Sequence, residues 1–137
     1  LGPSQFSRLP AFIEERNRLA ADYTRDLSTF PLVRPTVRQD AFSAWHLYVV
    51  RIPKRRAAPT RDDVLERMRA GGVGVNVHYW PIHLQPYYRH LGFRAGMFPE
   101  AERYGEEALT LPLFTTLTTT DYRSVLEKLH DAMTSGP

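Results

Sequence analysis

The sequence predicts a small α/β domain, of α+β type, in which about three strands form one sheet and about four helices cover one side of it. Two observations carry this prediction. Segments with apolar residues at three-and-four spacing alternate with short aromatic or β-branched runs, in the order helix, strand, helix, strand, helix, short strand, helix. In addition, 137 residues with 42% hydrophobic content suit a single core, and no internal repeat or linker divides the chain.

Each element has its own signal. Phe6, Leu9, Ile13, Ala20, Tyr23 and Leu27 mark a long amphipathic helix. Pro10 restarts or kinks it, because proline has no amide hydrogen, and Phe30-Pro31 and Pro35 end it. This stripe is expected to leave an apolar patch when the chain stands alone. Trp45 to Ile52 reads as a buried strand centred on Tyr48-Val49-Val50 and bounded by Pro53. Thr60 and Asp63 have capping-box spacing ahead of Val64, Leu65 and Met68, and Gly71-Gly72 stops that helix before a second strand, Val73 to His78. Tyr87 to Leu91 gives one or two turns ended by Gly92. Pro99 opens a helix through Ala108, and Leu109-Thr110-Leu111 is a short strand before Pro112. The last helix is the clearest, with a Thr118/Asp121 capping box and Tyr122, Val125, Leu126, Leu129 and Met133 on one face.

Composition removes several function classes. No run is long and apolar enough to span a bilayer, and Leu1-Gly2-Pro3-Ser4 has no basic region leading into an apolar one, so the chain reads as neither membrane-inserted nor secreted. Zero cysteines exclude disulfides, thiolate metal sites and cysteine nucleophiles, and fit a reducing compartment such as the cytoplasm. The net charge of +3 arises from sixteen scattered arginines and only two lysines, Lys54 and Lys128. Only Arg51-Ile52-Pro53-Lys54-Arg55-Arg56 clusters, and it reads as a solvated loop tip unaccompanied by any nucleic-acid-binding motif.

The richest segment is His78-Tyr79-Trp80-Pro81-Ile82-His83-Leu84-Gln85-Pro86-Tyr87-Tyr88. Pro81 and Pro86 hold two imidazoles and several large rings on a rigid turn directly after a strand, the kind of place where binding residues sit. His78 and His83 are five apart across a proline, so they share no helix face, and no third ligand has metal-site spacing. With Tyr79, Gln85, Tyr87 and Tyr88 they can donate to and accept from hydroxyl or phosphate oxygens and stack on a sugar or base. No Gly-x-Ser-x-Gly elbow, Walker loop or dinucleotide fingerprint occurs, and His46, His90 and His130 read as structural.

Five pieces in order carry a resemblance: Leu1-Gly2 with Ser4-Gln5-Phe6; Ala44-Trp45-His46-Leu47-Tyr48; Gly72-Val73-Gly74-Val75-Asn76-Val77-His78-Tyr79-Trp80-Pro81-Ile82-His83; Pro99-Glu100-Ala101-Glu102; and Leu109-Thr110-Leu111-Pro112-Leu113-Phe114. Together they resemble the C-terminal part of DegT/StrS-type sugar aminotransferases, which are fold-type I pyridoxal-phosphate (PLP) enzymes. The version His83-Leu84-Gln85-Pro86-Tyr87-Tyr88-Arg89 that follows the third piece is most similar to the branch acting on nucleotide-linked amino-sugars in pseudaminic acid biosynthesis. Pro3 departs from the helical residue the family usually has there.

The resemblance implies a mainly antiparallel small sheet and makes residues 1–137 a C-terminal small domain, with the large PLP-binding domain and its Schiff-base lysine absent from this chain. Neither Lys54 nor Lys128 matches the family's lysine motif, so the chain alone is expected neither to bind PLP nor to transaminate. The resemblance also implies partners: a nucleotide-sugar and an amino donor, usually glutamate, the protein's own large domain, on which the Phe6 to Leu27 stripe is expected to pack, and a second copy in a homodimer, with neither membrane nor nucleic acid involved. His78 and Tyr79 become the leading substrate-binding residues, followed by His83, Gln85 and Tyr88, with no catalytic, cofactor or metal residue assigned. Two other readings are a cofactor-less module that binds a nucleotide-sugar without PLP, and a nucleic-acid-binding domain whose affinity falls steeply with salt.

Overall fold

The computed structural model describes residues 2–134, so Leu1, which opens the first of the five pieces, lies outside the described residues. A short helix α1 (Gly2–Phe6) precedes α2 (Leu9–Asp26), and a single 3-10 turn, Leu27–Thr29, finishes it. Pro10 therefore restarts the helix: it falls in the first turn of α2, where the amide it lacks has no partner in any helix. The chain then reaches strand β1 (Tyr48–Arg51), helix α3 (Arg61–Ala70), a 3-10 turn at Ile82–Leu84, α4 (Pro86–His90), α5 (Pro99–Glu107), strand β2 (Ala108–Leu111) and α6 (Thr119–Thr134). The capping box at Thr60 forms in full, and at Thr118 the cap on the Asp121 amide forms. The Thr60 hydroxyl accepts from the Asp63 amide while Asp63 accepts from the Thr60 amide, and the Thr118 hydroxyl accepts from the Asp121 amide at 3.1 Å.

The sheet is smaller than the sequence suggests. β1 and β2 pair antiparallel in the register Tyr48↔Leu111 through Arg51↔Ala108. Single antiparallel bridges flank them, Val33↔Arg51 on the β1 side and Asn76↔Thr110 on the β2 side. The expected strand Val73 to His78 thus contributes one bridge. Its backbone groups are engaged elsewhere: the Arg69 guanidinium takes the Val75 carbonyl at 3.1 and 3.2 Å, and the Val77 amide donates to the Asn76 side chain at 2.9 Å. On the side facing β2 the groups beyond the bridge are also taken: Pro112 has no amide hydrogen and its carbonyl accepts from Tyr23, and the Ala108 carbonyl accepts from Arg61, so no ladder extends from Asn76. The strand read as starting at Trp45 starts at Tyr48, because Trp45 sits at φ 47° with its amide donating to Ser43 Oγ.

The core lies between this sheet and α2, α3 and α6. β1 alternates, with Tyr48 and Val50 turned inward, whereas all four residues of β2 are buried. From α2 the core takes Leu19, Ala20 and Tyr23, from α3 Val64 and Met68, and from α6 Tyr122, Val125, Leu129 and Ala132. Each fully buried Leu, Val or Met contributes about 1.5–3 kcal/mol. Three tyrosines form its centre: Tyr23 stacks on Tyr48 with centroids 5.0 Å apart and tilts against Tyr122 at 4.8 Å. Their hydroxyls are all satisfied, by the Pro112 carbonyl, Thr24 and Asp26 respectively, and burial pushes all three phenols up from their ordinary range. Arg61, itself buried, ties α3 to β2 through the Ala108 carbonyl at 2.9 Å.

The apolar stripe Phe6 to Leu27 divides in two. Its C-terminal half is internal core, which corrects the expectation that the whole stripe packs on another domain: Ala20, Tyr23 and Leu27 have the sheet to cover. Its N-terminal half remains outside. Phe6 and Leu9 are exposed, and Leu9, Pro10, Ile13 and Phe42 line an open apolar groove of about 580 Å³.

Candidate functional site

The segment from His78 to Tyr88 leaves the Asn76 bridge, crosses α5 and ends in α4, with no ladder of its own. Three contacts fix it. His78 Nδ1 lies 2.8 Å from the Thr110 hydroxyl of β2. Pro81, buried, lies on α5 at Gly105, where a Cβ would stand 2.6 Å from the proline Cδ, so only glycine admits this approach. His83 Nε2 lies 2.8 Å from Glu102 Oε1, also on α5, and the His83 ring meets Phe98 edge-on at 4.8 Å. The His78–Tyr79 peptide is cis.

Glu102 joins this loop to the next one. Besides His83 it accepts from the amides of Gly96 at 2.8 and 3.0 Å and of Phe98 at 3.4 Å. The Gly96 amide, then the His83 ring and the Phe98 amide, hold its carboxyl below the usual carboxylate range. A carboxylate can only accept, so the His83 nitrogen facing it carries a proton.

With these anchors inside, the remaining side chains face outward. Tyr79, Trp80, Ile82, Tyr87 and Leu91 are well exposed, Gln85 and Tyr88 are exposed, and His78 is half-buried. His78 and Tyr79 meet edge to face at 4.6 Å, as do Tyr87 and Tyr88 at 5.3 Å. The five residues singled out from sequence therefore fall into two sets. His78, Tyr79, Gln85 and Tyr88 lie on the accessible side of one loop, whereas His83 is 7% exposed and bonded inward. Sequence reasoning missed Thr110, Gly105 and Glu102. Thr110 and Glu102 stood within the quoted pieces, but only spatial proximity links them to the loop.

The accessible face offers hydrogen-bonding rings, an amide and broad apolar surface, which suits binding a polar molecule with stackable faces. The described residues do not fit a PLP site. Lys54 is exposed and paired with Glu106 at 2.8 Å, and the Lys128 stem lies on Gly71 of the α3 terminus, so neither amine enters a closed, desolvated cavity. Among the described residues no group of three His, Asp or Glu gathers as a metal site, and no helix is long and apolar enough to cross a membrane.

Residues 1–130 match the family model described as the DegT/DnrJ/EryC1/StrS aminotransferase family. Among curated relatives, the spore coat polysaccharide biosynthesis protein SpsC of Bacillus subtilis is 32% identical over 134 residues, covering 96% of this chain and 34% of SpsC. Among solved structures, the aminotransferase TlmJ from Streptoalloteichus hindustanus superposes with a TM-score of 0.83 at 32% identity, covering 96% of this chain and 34% of that one. DesV of S. venezuelae, solved in complex with a ketimine intermediate, superposes at 0.85 and 27% identity, covering 94% and 34%. The chain spans about one third of the length of the relatives it matches.

Proposed function

The chain belongs to the DegT/DnrJ/EryC1/StrS aminotransferase family, and from that premise we propose that it is the small domain of a PLP-dependent sugar aminotransferase whose 78–88 loop forms one wall of the sugar site. In this reading the whole protein moves an amino group from an amino acid, glutamate above all, to a keto-sugar carried on a nucleotide. PLP, held outside this chain, supplies the electron sink for that transfer. The residues present here bind and orient. His78 offers a ring nitrogen to the sugar, Tyr79 and Tyr88 shape the wall, Gln85 supplies an amide, and His83 serves from within by keeping the loop on α5.

The observation that carries the proposal is the loop itself. Its backbone is fixed at Thr110, Gly105 and Glu102 while its aromatic and polar side chains are left open, and rigid support under an open face is what ligand orientation requires. The groove of Leu9, Pro10, Ile13 and Phe42 is the seat we assign to the protein's own large domain, and a homodimer in the cytoplasm is the assembly expected of the whole. The name of SpsC supports a role in cell-surface polysaccharide synthesis. An acceptor of the pseudaminic acid kind rests on the sequence from His83 to Arg89 alone.

The test is His78→Ala in the full-length protein, with the two half-reactions followed separately. The sugar half-reaction should fall about 10-fold or more, as for loss of one substrate hydrogen bond, while formation of the aminated cofactor from glutamate is spared. Equal loss in both halves would remove the sugar-facing role.

A further inference from the structure

We propose that Thr110 is a positioning residue that holds His78 as the tautomer protonated on Nε2, so that the loop presents a neutral N–H donor to an acceptor oxygen of the sugar substrate. The proposal rests on the reading of His78 as a sugar-facing residue and adds which chemistry that residue offers and what sets it.

The argument begins with the hydroxyl. Thr110 is the third residue of β2 and is 6% exposed. Its backbone is fixed from both sides, opposite Val49 in the ladder and bridged to Asn76 with its amide donating at 2.8 Å. The side chain therefore has little freedom to turn toward water. A hydroxyl at this depth carries a proton that needs an acceptor, and among the described residues its hydrogen-bond partner is His78 Nδ1 at 2.8 Å. If Nδ1 carried the proton, Thr110 would accept from it and its own hydroxyl proton would be left buried without an acceptor. If Thr110 donates instead, both groups are satisfied by one bond and the ring proton lies on Nε2.

Nε2 of His78 has no hydrogen-bond partner among the described residues, and the ring is only half-buried. The nitrogen left to a ligand is therefore a donor. It suits an acceptor such as a carbonyl or hydroxyl oxygen, and it is mismatched to an ammonium group. His83 is the contrast within the same loop. Its protonated nitrogen is turned inward to Glu102, so the same chemistry is used there for anchoring. Orientation of a functional histidine through its second nitrogen is a recognised way to fix tautomer and aim together. Here the controlling group lies 32 residues along the chain.

The experiment uses the full-length protein with nitrogen-15 histidine, free of added substrate, at about pH 8.5, above the histidine titration range. The His78 resonances are identified by their loss in His78→Gln. The wild type should show Nε2 protonated and Nδ1 as an imine nitrogen that accepts a hydrogen bond. Thr110→Val, which removes the hydroxyl at nearly constant shape, should shift Nδ1 to the position of an unbonded imine nitrogen, and Thr110→Ser should restore it. A wild-type ring protonated on Nδ1, or a Thr110→Val ring identical to wild type, overturns the proposal. Should Thr110→Val not fold, the wild-type pattern and its retention in Thr110→Ser decide the matter. In kinetics, Thr110→Val should slow the sugar half-reaction and spare the amino-donor half, with recovery in Thr110→Ser. An impaired His78→Ala beside an unimpaired Thr110→Val would overturn this inference alone; an unimpaired His78→Ala would overturn the sugar-facing reading beneath it.

Discussion

Tyr23, Tyr48 and Tyr122 in the core and Tyr79, Tyr87 and Tyr88 on the loop are the same side chain in opposite circumstances. The first three are 0%, 0% and 8% exposed and each hydroxyl has an internal partner, whereas the second three are 67%, 69% and 37% exposed and none has a hydroxyl partner among the described residues. The same contrast separates the histidines, His83 inward on Glu102 and His78 open at Nε2. An amphipathic ring whose polar atom is bonded within the fold acts as structure. One whose polar atom is left open, on a backbone that cannot shift, is available to a ligand. Thr110, Gly105 and Glu102 keep the second group in place without belonging to it.

Truncation should break the comparison most sharply. Tyr23→Ala should cost about 3–5 kcal/mol, as for other buried aromatic truncations, read as a lower denaturant midpoint at unchanged slope. Tyr87→Ala should stay within about 0.5 kcal/mol of wild type. Similar costs for the two would erase the distinction between core and wall.

A smaller effect is expected where the two regions meet. Gly105→Ala places a Cβ 2.6 Å from the Pro81 ring, so either α5 or the loop must move, at about 1–3 kcal/mol. Amide exchange in residues 78–85 should quicken while β1 and β2 stay protected; uniform protection throughout would show that the seat on α5 does not hold the loop.

The smallest expected effect is acid release of the Glu102 latch. Its carboxyl titrates below the ordinary glutamate range of about 4.3, so its contribution is fully present above that value and is lost as pH falls through the depressed one. Protection of the Gly96 and Phe98 amides, relative to their intrinsic exchange rates, should therefore fall on acidification before the tyrosine core loosens, and Glu102→Gln should show that lower protection already at neutral pH. Simultaneous opening of both regions would make the latch part of the core.

Much of the fold was legible because it depends on neighbours in sequence. The capping box at Thr60, the hydroxyl cap at Thr118, the stop at Gly71-Gly72 and the restart at Pro10 follow local rules, and each formed where the spacing put it. The short strand before Pro112 and the apolar face of α6 were equally direct. Failure came where distant groups competed. Val73 to His78 has a strand's composition, but Pro112 offers no amide, and Tyr23 and Arg61 take the Pro112 and Ala108 carbonyls that a longer ladder with β2 would use. The Phe6 to Leu27 stripe is one pattern in sequence and two environments in space, since periodicity specifies a face without specifying what covers it.

The sequence by itself determined the helices and the two strands that pair, the turns imposed by Pro81 and Pro86, and the set of side chains that can serve a site. Those are matters of backbone restriction and spacing within a few residues. Tertiary structure alone decided which histidine is buried against Glu102, which is held by Thr110, and why residue 105 is glycine, because each answer is a contact made across 19 to 32 residues of chain. Hydrogen-bond satisfaction in a buried place depends on the partner that packing delivers, and a linear pattern does not contain that partner's identity.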